Sequence, residues 1–331
     1  MFVTRTPRVG EILAFGRAIS TCRGTGEQLS EGDSRVIESD ALMNSDMLEI
    51  PDVKAWLGGI EPAWTLLDHD TFVALHRPPM APGSAIHLAR DLSPDEIGQS
   101  AVASRMAILL RGATEAPGLK LTATGNLSRG VVADMLDRFA WPDFDKEKAF
   151  RFNKVVNEHD FFPLLFIRQI AEAMRFLRKS KGHVRASPLG RAALDDANLP
   201  ALQALLFHST MWHVDLSDFG RGLHGRWPQG DMGVVLWSLS VVANDWQSPE
   251  RLTRMCTIPI NSVVAAEWDS SSMMMEARIL RTLHWFGLLD HKREAIEGQR
   301  FGERHFYRKT KLFDRFLSFD VKTEGRDAIR H

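Results

Sequence analysis

Cysteine is scarce in this chain. Only Cys22 and Cys256 occur among 331 residues, and they lie far apart in the sequence. Two distant cysteines provide neither a disulfide framework nor a four-cysteine metal site. The sequence therefore predicts a protein of a reducing compartment, and the cytoplasm is the default expectation.

Long apolar runs are also missing. Arg168 and Gln169 interrupt one candidate segment, and Arg278 and Arg281 interrupt another. A membrane-spanning helix needs roughly 18 to 20 predominantly apolar residues, and no uninterrupted run approaches that length. We expect no membrane association.

Recognisable catalytic motifs are absent as well. The chain has no nucleophile elbow, dinucleotide fingerprint, zincin helix or kinase motif. Cys256 lies in an apolar predicted helix, where a free cysteine is normally a small core residue. No catalytic residue and no cofactor are therefore predicted, and an unidentified enzyme is only the third interpretation of function.

Two histidine-containing sets were weighed as metal sites. His208 and His213 are five residues apart on a predicted helix, which would point them to different sides and away from joint binding with Asp215. The adjacent residues Glu158, His159 and Asp160 cannot converge readily. The sequence predicts no metal site.

The composition is that of an ordinary globular protein, with 44% apolar and 25% charged residues. A chain of this length suggests two or three units, each with its own core. The net charge of −1 conceals an uneven distribution: it is −7 over residues 1–100, +5 over 101–200, −3 over 201–290 and +4 over 291–331. The two positive segments contain the pattern described next.

That pattern occurs twice, as helix, short apolar strand, basic turn, second strand and closing helix. The first copy is read over residues 176–191, and the second covers residues 286–319. Three helices followed by a two-stranded wing is the order of a winged helix. The predicted fold is mainly α, with two winged-helix-like units carrying short β-hairpin wings and a helical or irregular N-terminal region.

Three segments follow from this interpretation. They are an acidic, partly irregular region over 1–91, a first winged-helix-like domain over 92–198 and a second over 199–331. Helix starts are predicted at Ser93 and Ser248, each followed by proline. A long helix is predicted from Phe161 to Arg178.

That helix is predicted to be mostly buried, with one narrow polar stripe. The stripe consists of Arg168, Glu172, Arg175 and Lys179, spaced by four, three and four residues. It leads directly into the first predicted wing. A largely cationic line fits a helix facing phosphates, and it fits a solvent edge equally well.

From about Leu92 to Phe319 the chain resembles an uncharacterised bacterial family of helical proteins. It is also similar to a helical module of some plasmid-encoded proteins. In those proteins the module follows a domain of the open-reading-frame-three type. The likeness is carried by LTATGNL (121–127), NE (157–158), PL (163–164), RKSKG (178–182) and YRKTKLFDRF (307–316). This resemblance implies no activity, cofactor or catalytic residue.

The leading functional hypothesis is a DNA-binding regulatory or accessory protein, with double-stranded DNA as the partner. Phosphate contacts would come from cations of the stripe and of both wings. The alternative is a protein–protein interaction scaffold, with a protein partner or a homodimer, whose wings have lost nucleic-acid contact. The candidate nucleic-acid-binding residues are Arg168, Arg175, Arg178, Lys179, Lys181, His183, Arg185, Lys292, Arg293, Arg300, Arg304 and Arg308.

Overall fold

A computed structural model describes residues 45–144, 146–147, 150, 155–220, 222–298 and 302–323. The expectations for residues 1–44 and for Arg300 lie outside the described residues. The described chain is mainly helical with small antiparallel sheets, as predicted.

The helices are mostly short. In chain order they are α1 (Ser45–Glu49), α2 (Pro51–Leu57), α3 (His69–Leu75), α4 (Pro94–Gly98), α5 (Ala101–Thr114), α6 (Arg129–Arg138), α7 (Phe162–Ala173), α8 (Pro188–Ala192), α9 (Leu202–Trp212), α10 (Met232–Val242), α11 (Pro249–Cys256), α12 (Asn261–Val264), α13 (Ser270–Met275), α14 (Arg281–Trp285) and α15 (Lys311–Phe316). A π-helical segment, Glu276–Leu280, connects α13 to α14.

Within the described residues, seven short strands form three antiparallel sheets. The strands are β1 (Ile86–Leu88), β2 (Leu119–Lys120), β3 (Leu177–Ser180), β4 (His183–Ala186), β5 (Leu289–Ala295), β6 (Glu303–Lys309) and β7 (Leu317–Phe319). β1 pairs with β7, β2, β4 and β3 form a sheet in that order, and β5 pairs with β6.

The chain divides into two compact units. Of the described residues, the first unit holds 90–214, and the second holds 45–89 together with 215–323. These boundaries differ from the predicted ones. Helix α9 belongs to the first unit, and residues 45–89 pack with the C-terminal part of the chain instead of forming an N-terminal region of their own.

The first unit begins at the predicted N-cap. The Ser93 hydroxyl accepts a hydrogen bond from the Glu96 amide, and the Glu96 carboxylate accepts one from the Ser93 amide, which completes a capping box. Helix α5 follows with its apolar positions buried. The unit then runs β2, α6, α7, β3 and β4, and β4 is the central strand of its sheet.

Helix α7 ends five residues earlier than predicted. The Phe176 amide donates to the Ala171 carbonyl and the Arg175 amide donates to the Glu172 carbonyl, while Arg175 adopts a φ of +57°. These two bonds form a Schellman-type C-cap. The chain therefore turns directly into β3, and Lys179 lies on a strand rather than on the helix.

The second unit repeats this order of elements. Helix α10 is followed by Gln247, which forms an isolated bridge with Tyr307 of β6. Then come α11, the helix running through α13, the π segment and α14, and finally the hairpin of β5 and β6. Both predicted hairpins are thus present. In each one the second strand also pairs with a segment that follows an earlier helix: β4 pairs with β2 after α5, and β6 bridges Gln247 after α10.

The helix that runs from α13 through the π-helical segment to α14 contains a buried charge. Arg278 of the π-helical segment is fully buried. Among the described residues, no helix is both long enough and apolar enough to cross a membrane.

Candidate nucleic-acid interface

The hairpin of β3 and β4, called the first hairpin from here on, turns through two residues. Lys181 and Gly182 have φ values of +48° and +74°, as the central pair of a type I′ turn requires. Glycine takes up this conformation without steric cost, whereas Lys181 does so against its usual preference. The lysine is thereby held at the exposed tip.

The outward face of the first hairpin is cationic. Arg178 lies directly opposite Arg185 in the antiparallel register, and His183 lies opposite Lys120 of β2. Residues directly opposite one another share a face of the sheet. Like charges in that position destabilise a sheet, so an anion bound across this face would relieve a repulsion already present.

No carboxylate neutralises this face within the described part of the chain. The first hairpin contains no acidic residue, and Arg178, Lys179, Lys181 and Arg185 make no ion pair with any described residue. Lys120, which is not among the predicted contact residues, is exposed on the same face. Its position depends on β2–β4 pairing, which the sequence does not reveal.

Arg168 is buried, whereas the sequence predicted it to lie on an exposed polar stripe of the helix. Its side chain is 8% exposed and its Nη1 lies 2.7 and 2.6 Å from the two carboxylate oxygens of Glu158. Nε donates to Glu172 at 2.9 Å and Nη2 donates to the Gly125 carbonyl at 2.9 Å. Burial opposes the charge, and the bonds to the two carboxylates raise the pKa of Arg168 above its usual value.

Arg168 is therefore an internal ion-pair residue, and no line of exposed cations runs along α7. Of the other stripe members, Glu172 is exposed beside Arg168, and Arg175 is exposed at the helix end in the left-handed conformation. Gln169 is the other exposed polar residue of α7. The helix presents almost no side chain that could contact base edges.

The hairpin of β5 and β6, called the second hairpin, carries its cations differently. Each of three candidates has a carboxylate partner: Lys292 with Glu294 at 2.6 Å, Arg293 with Glu303 at 3.6 Å, and Arg308 with Asp290 at 3.0 Å. Arg304 is exposed and forms no ion pair with a described residue. This hairpin is largely neutralised by its own acids.

Trp246 accounts for part of that arrangement. Lys292 and Arg308 lie over its ring at 5.1 and 4.5 Å from the centroid. The Trp246 ring is half-buried beneath these two cations, whereas Trp237 is buried in the core. The indole thus holds two cations on the second hairpin.

The two histidine-containing sets considered as metal sites differ in the structure. The Nε2 atoms of His208 and His213 lie 3.2 Å apart, so the prediction that these rings point to different sides is wrong. His213 follows the last residue of α9, where the chain leaves helical geometry and the ring can fold back. Glu158 of the other set is occupied by Arg168.

Two further features bear on chemistry: Cys256 in the second unit and a cleft in the first unit. Cys256 is fully buried, and burial raises the pKa of its thiol far above the usual value, which fits a core residue. A cleft of about 550 Å³ is lined by Arg105, Asp137, Trp141 and Lys146 among others. Its described lining contains no serine, cysteine or histidine that could serve as a nucleophile or base.

Comparison with known proteins covers the part of the chain that holds the first hairpin. Residues 98–199 match the Y4jL N-terminal domain. Over 74 residues the chain is 34% identical to "Uncharacterized protein y4jL" of Sinorhizobium fredii (strain NBRC 101917 / NGR234), a stretch that covers 22% of this chain and 34% of that protein. The chain thus spans about a third of the length of this curated relative.

These matches support likeness to an uncharacterised bacterial family over the segment from α5 to α8. No solved structure matches the chain significantly. The predicted likeness to plasmid-encoded helical modules stays a prediction.

Proposed function

We propose that the first unit is a winged-helix domain whose hairpin binds the phosphate backbone of double-stranded DNA. The order α5, β2, α6, α7, β3, β4 with β4 central is the order expected of such a domain. In this family of folds a wing lies along the backbone, where lysine and arginine release condensed counterions. We propose that the first hairpin acts as such a wing in this chain.

The observation that carries the proposal is the unneutralised charge of the first hairpin. Four cations occupy residues 177–186, with Arg178 and Arg185 held opposite each other and no acid between them. A polyanion would offset that repulsion, and duplex DNA presents phosphates at regular spacing. The second hairpin lacks this feature because Lys292, Arg293 and Arg308 already have carboxylate partners, so the proposal does not extend to it.

The contact we propose is largely independent of base sequence. Base-edge recognition requires polar side chains on the helix that enters the major groove. Helix α7 offers Gln169 and the Arg168-bound Glu172 on its exposed side. Phosphate contact positions a protein on DNA without specifying a sequence.

The scaffold alternative is favoured by the same helix. A third helix that is buried along most of its length and has no exposed cation can serve as a packing element. In that case the cations of the first hairpin would only solubilise its edge strand. Measuring DNA affinity distinguishes the two functions.

The test is a duplex-binding titration at about 50 and 200 mM salt. The triple variant Arg178→Gln, Lys181→Gln, Arg185→Gln should weaken binding and flatten the dependence of log K on log salt by roughly 0.9 per lost phosphate contact. The matched control is Lys292→Gln, Arg293→Gln, Arg308→Gln, which removes the same number of cations from the second hairpin and should change binding much less. Absence of binding at the lower salt, or equal effects of the two triple variants, would refute the proposal.

A further inference from the structure

The second unit brings together three side chains from three separate elements. Glu276 begins the π-helical segment, His291 lies on β5 and His305 lies on β6. The register pairs His291 with Tyr307, two residues from His305, so both histidines project from the same face of the hairpin. Their ring centroids are 5.0 Å apart.

The geometry of these residues, called the His–Glu cluster, is compact. One ligand atom from each of Glu276, His291 and His305 lies within 4.8 Å of the other two. His305 Nδ1 is hydrogen-bonded to Glu276 Oε1. A tetrahedral ion with ligands at about 2.05 Å separates them by about 3.3 Å, which small side-chain rotations would reach from this arrangement.

We propose that Glu276, His291 and His305 bind a divalent transition-metal ion, with Zn²⁺ as the best match. Two imidazoles and one carboxylate suit Zn²⁺ and its neighbours in the first transition row, whereas Mg²⁺ and Ca²⁺ prefer oxygen ligands throughout. Three protein ligands leave a coordination position open for water or a substrate. A ring that binds the ion does so through a nitrogen that carries no hydrogen: a neutral imidazole keeps its hydrogen on the other nitrogen, and an imidazolium releases one proton to solvent.

The surroundings orient the ligands as second-layer groups do in metal sites. The Tyr307 hydroxyl donates to Glu276 Oε1 at 3.0 Å. Its ring lies flat against His291, with centroids 4.6 Å apart and planes 11° from parallel. Tyr307 is fully buried, which fixes both contacts. Outer hydrogen bonds of this kind set the orientation and basicity of the ligands.

The backbone at Glu276 is unusual in the same place. Inside a continuous helix from residue 270 to 285, the five residues Glu276–Leu280 adopt π-helical geometry. Single π turns within α-helices are rare and occur often at functional sites. The widened turn starts at the carboxylate that would complete the site.

The test is metal binding by the full chain after removal of any purification tag. Equilibrium dialysis should show one Zn²⁺ per chain, and Co²⁺ should give the visible absorption of a low-coordinate nitrogen- and oxygen-ligated ion. Glu276→Gln, His291→Ala and His305→Ala should each lower Zn²⁺ affinity at least about tenfold. The control His69→Ala removes an exposed histidine of the same unit and should leave affinity unchanged.

Two results overturn the proposal: no stoichiometric Zn²⁺ binding by the full chain, or unchanged affinity in the three cluster variants. Glu276→Gln keeps the shape of the side chain and its contact with Tyr307, so it reports on binding even where a histidine variant is less stable. Circular dichroism of each variant establishes that it is folded. Mg²⁺ serves as the ion control and should not compete with Zn²⁺.

Discussion

At the scale of single residues, two arginines are internal structural groups. The Arg278 guanidinium donates to the carbonyls of Gly225, Trp227, Leu223 and Ser217. Burial lowers its pKa, and the negative charge of Asp215 opposes that effect. One planar group thereby satisfies four carbonyls of an irregular loop, which an ammonium with three donors could not do.

Arg168 leads to the first stability prediction. Replacing it in Arg168→Met leaves the Glu158 carboxylate 2% exposed and deprived of its charged partner. Breaking a buried ion pair by removing one member costs about 3 to 5 kcal/mol, because the remaining charge stays desolvated. We expect a decrease of this size in the free energy of unfolding, measured by urea denaturation.

Two further variants control that experiment. Adding Glu158→Gln to Arg168→Met removes the orphaned charge and should recover a large part of the loss. Arg129→Met removes an exposed arginine of the same unit that bonds only Asn157 among the described residues, and should change stability by no more than about 0.5 kcal/mol. A loss in Arg168→Met as small as in Arg129→Met would contradict the prediction.

At the scale of elements, the sequence predicts what local chemistry determines. Ser93 and Ser248 cap helices as expected, because the cap and its following residues are contiguous. Both predicted hairpins occur, and the first lies where apolar residues flank a basic turn. The end of α7 could not be predicted, since its C-cap uses Arg175 in a left-handed conformation that glycine usually supplies.

Close contact between elements gives the second stability prediction. Gly233 of α10 lies against α3, and a Cβ added there would come within 1.9 Å of the Leu75 carbonyl oxygen and 2.7 Å of Ile86. Backbone cannot move aside as a flexible side chain can, so Gly233→Ala should lower the free energy of unfolding by about 1 to 3 kcal/mol or more. Thermal unfolding should show a lower Tm.

Gly130→Ala is the matched control for this substitution. Gly130 is exposed in α6 with no atom within 4 Å of an added Cβ. Alanine is a better helix former there, so stability should rise by up to about 1 kcal/mol. If both variants shifted Tm in the same direction, the contact at Gly233 would not be the cause.

At the scale of the whole molecule, the sequence could not reveal contacts between distant segments. The His–Glu cluster depends on the register of β5 with β6 and on a helix that precedes them, and 14 positions separate the two histidines in the chain. Turn length fixes such a register, and the connection over residues 296–302 has glycines at 298 and 302 but is too long for a two-residue turn signature. For the same reason, sequence spacing draws attention to other histidines, His208 and His213.

The predicted linear order of domains differs from the structure for a related reason. Residues 45–89 join the C-terminal part of the chain through β1, which pairs Ile86 with Phe319. The Trp64 indole donates to the Thr257 carbonyl at 3.0 Å, and Arg254 Nε donates to the Trp56 carbonyl at 2.7 Å. None of these partners is near in sequence. The first unit is consequently an insertion within the chain of the second.

This connectivity predicts different behaviour for two fragments. Residues 90–214 contain every described element of the first unit, so that fragment should show a cooperative urea transition and helical circular dichroism. Residues 215–331 lack β1 and α3, which leaves the β7 edge unpaired and the buried face of α10 exposed to water. The second fragment should therefore unfold without cooperativity, or aggregate, until residues 26–89 are supplied in trans, and a cooperative transition for residues 215–331 alone would contradict the two-segment organisation.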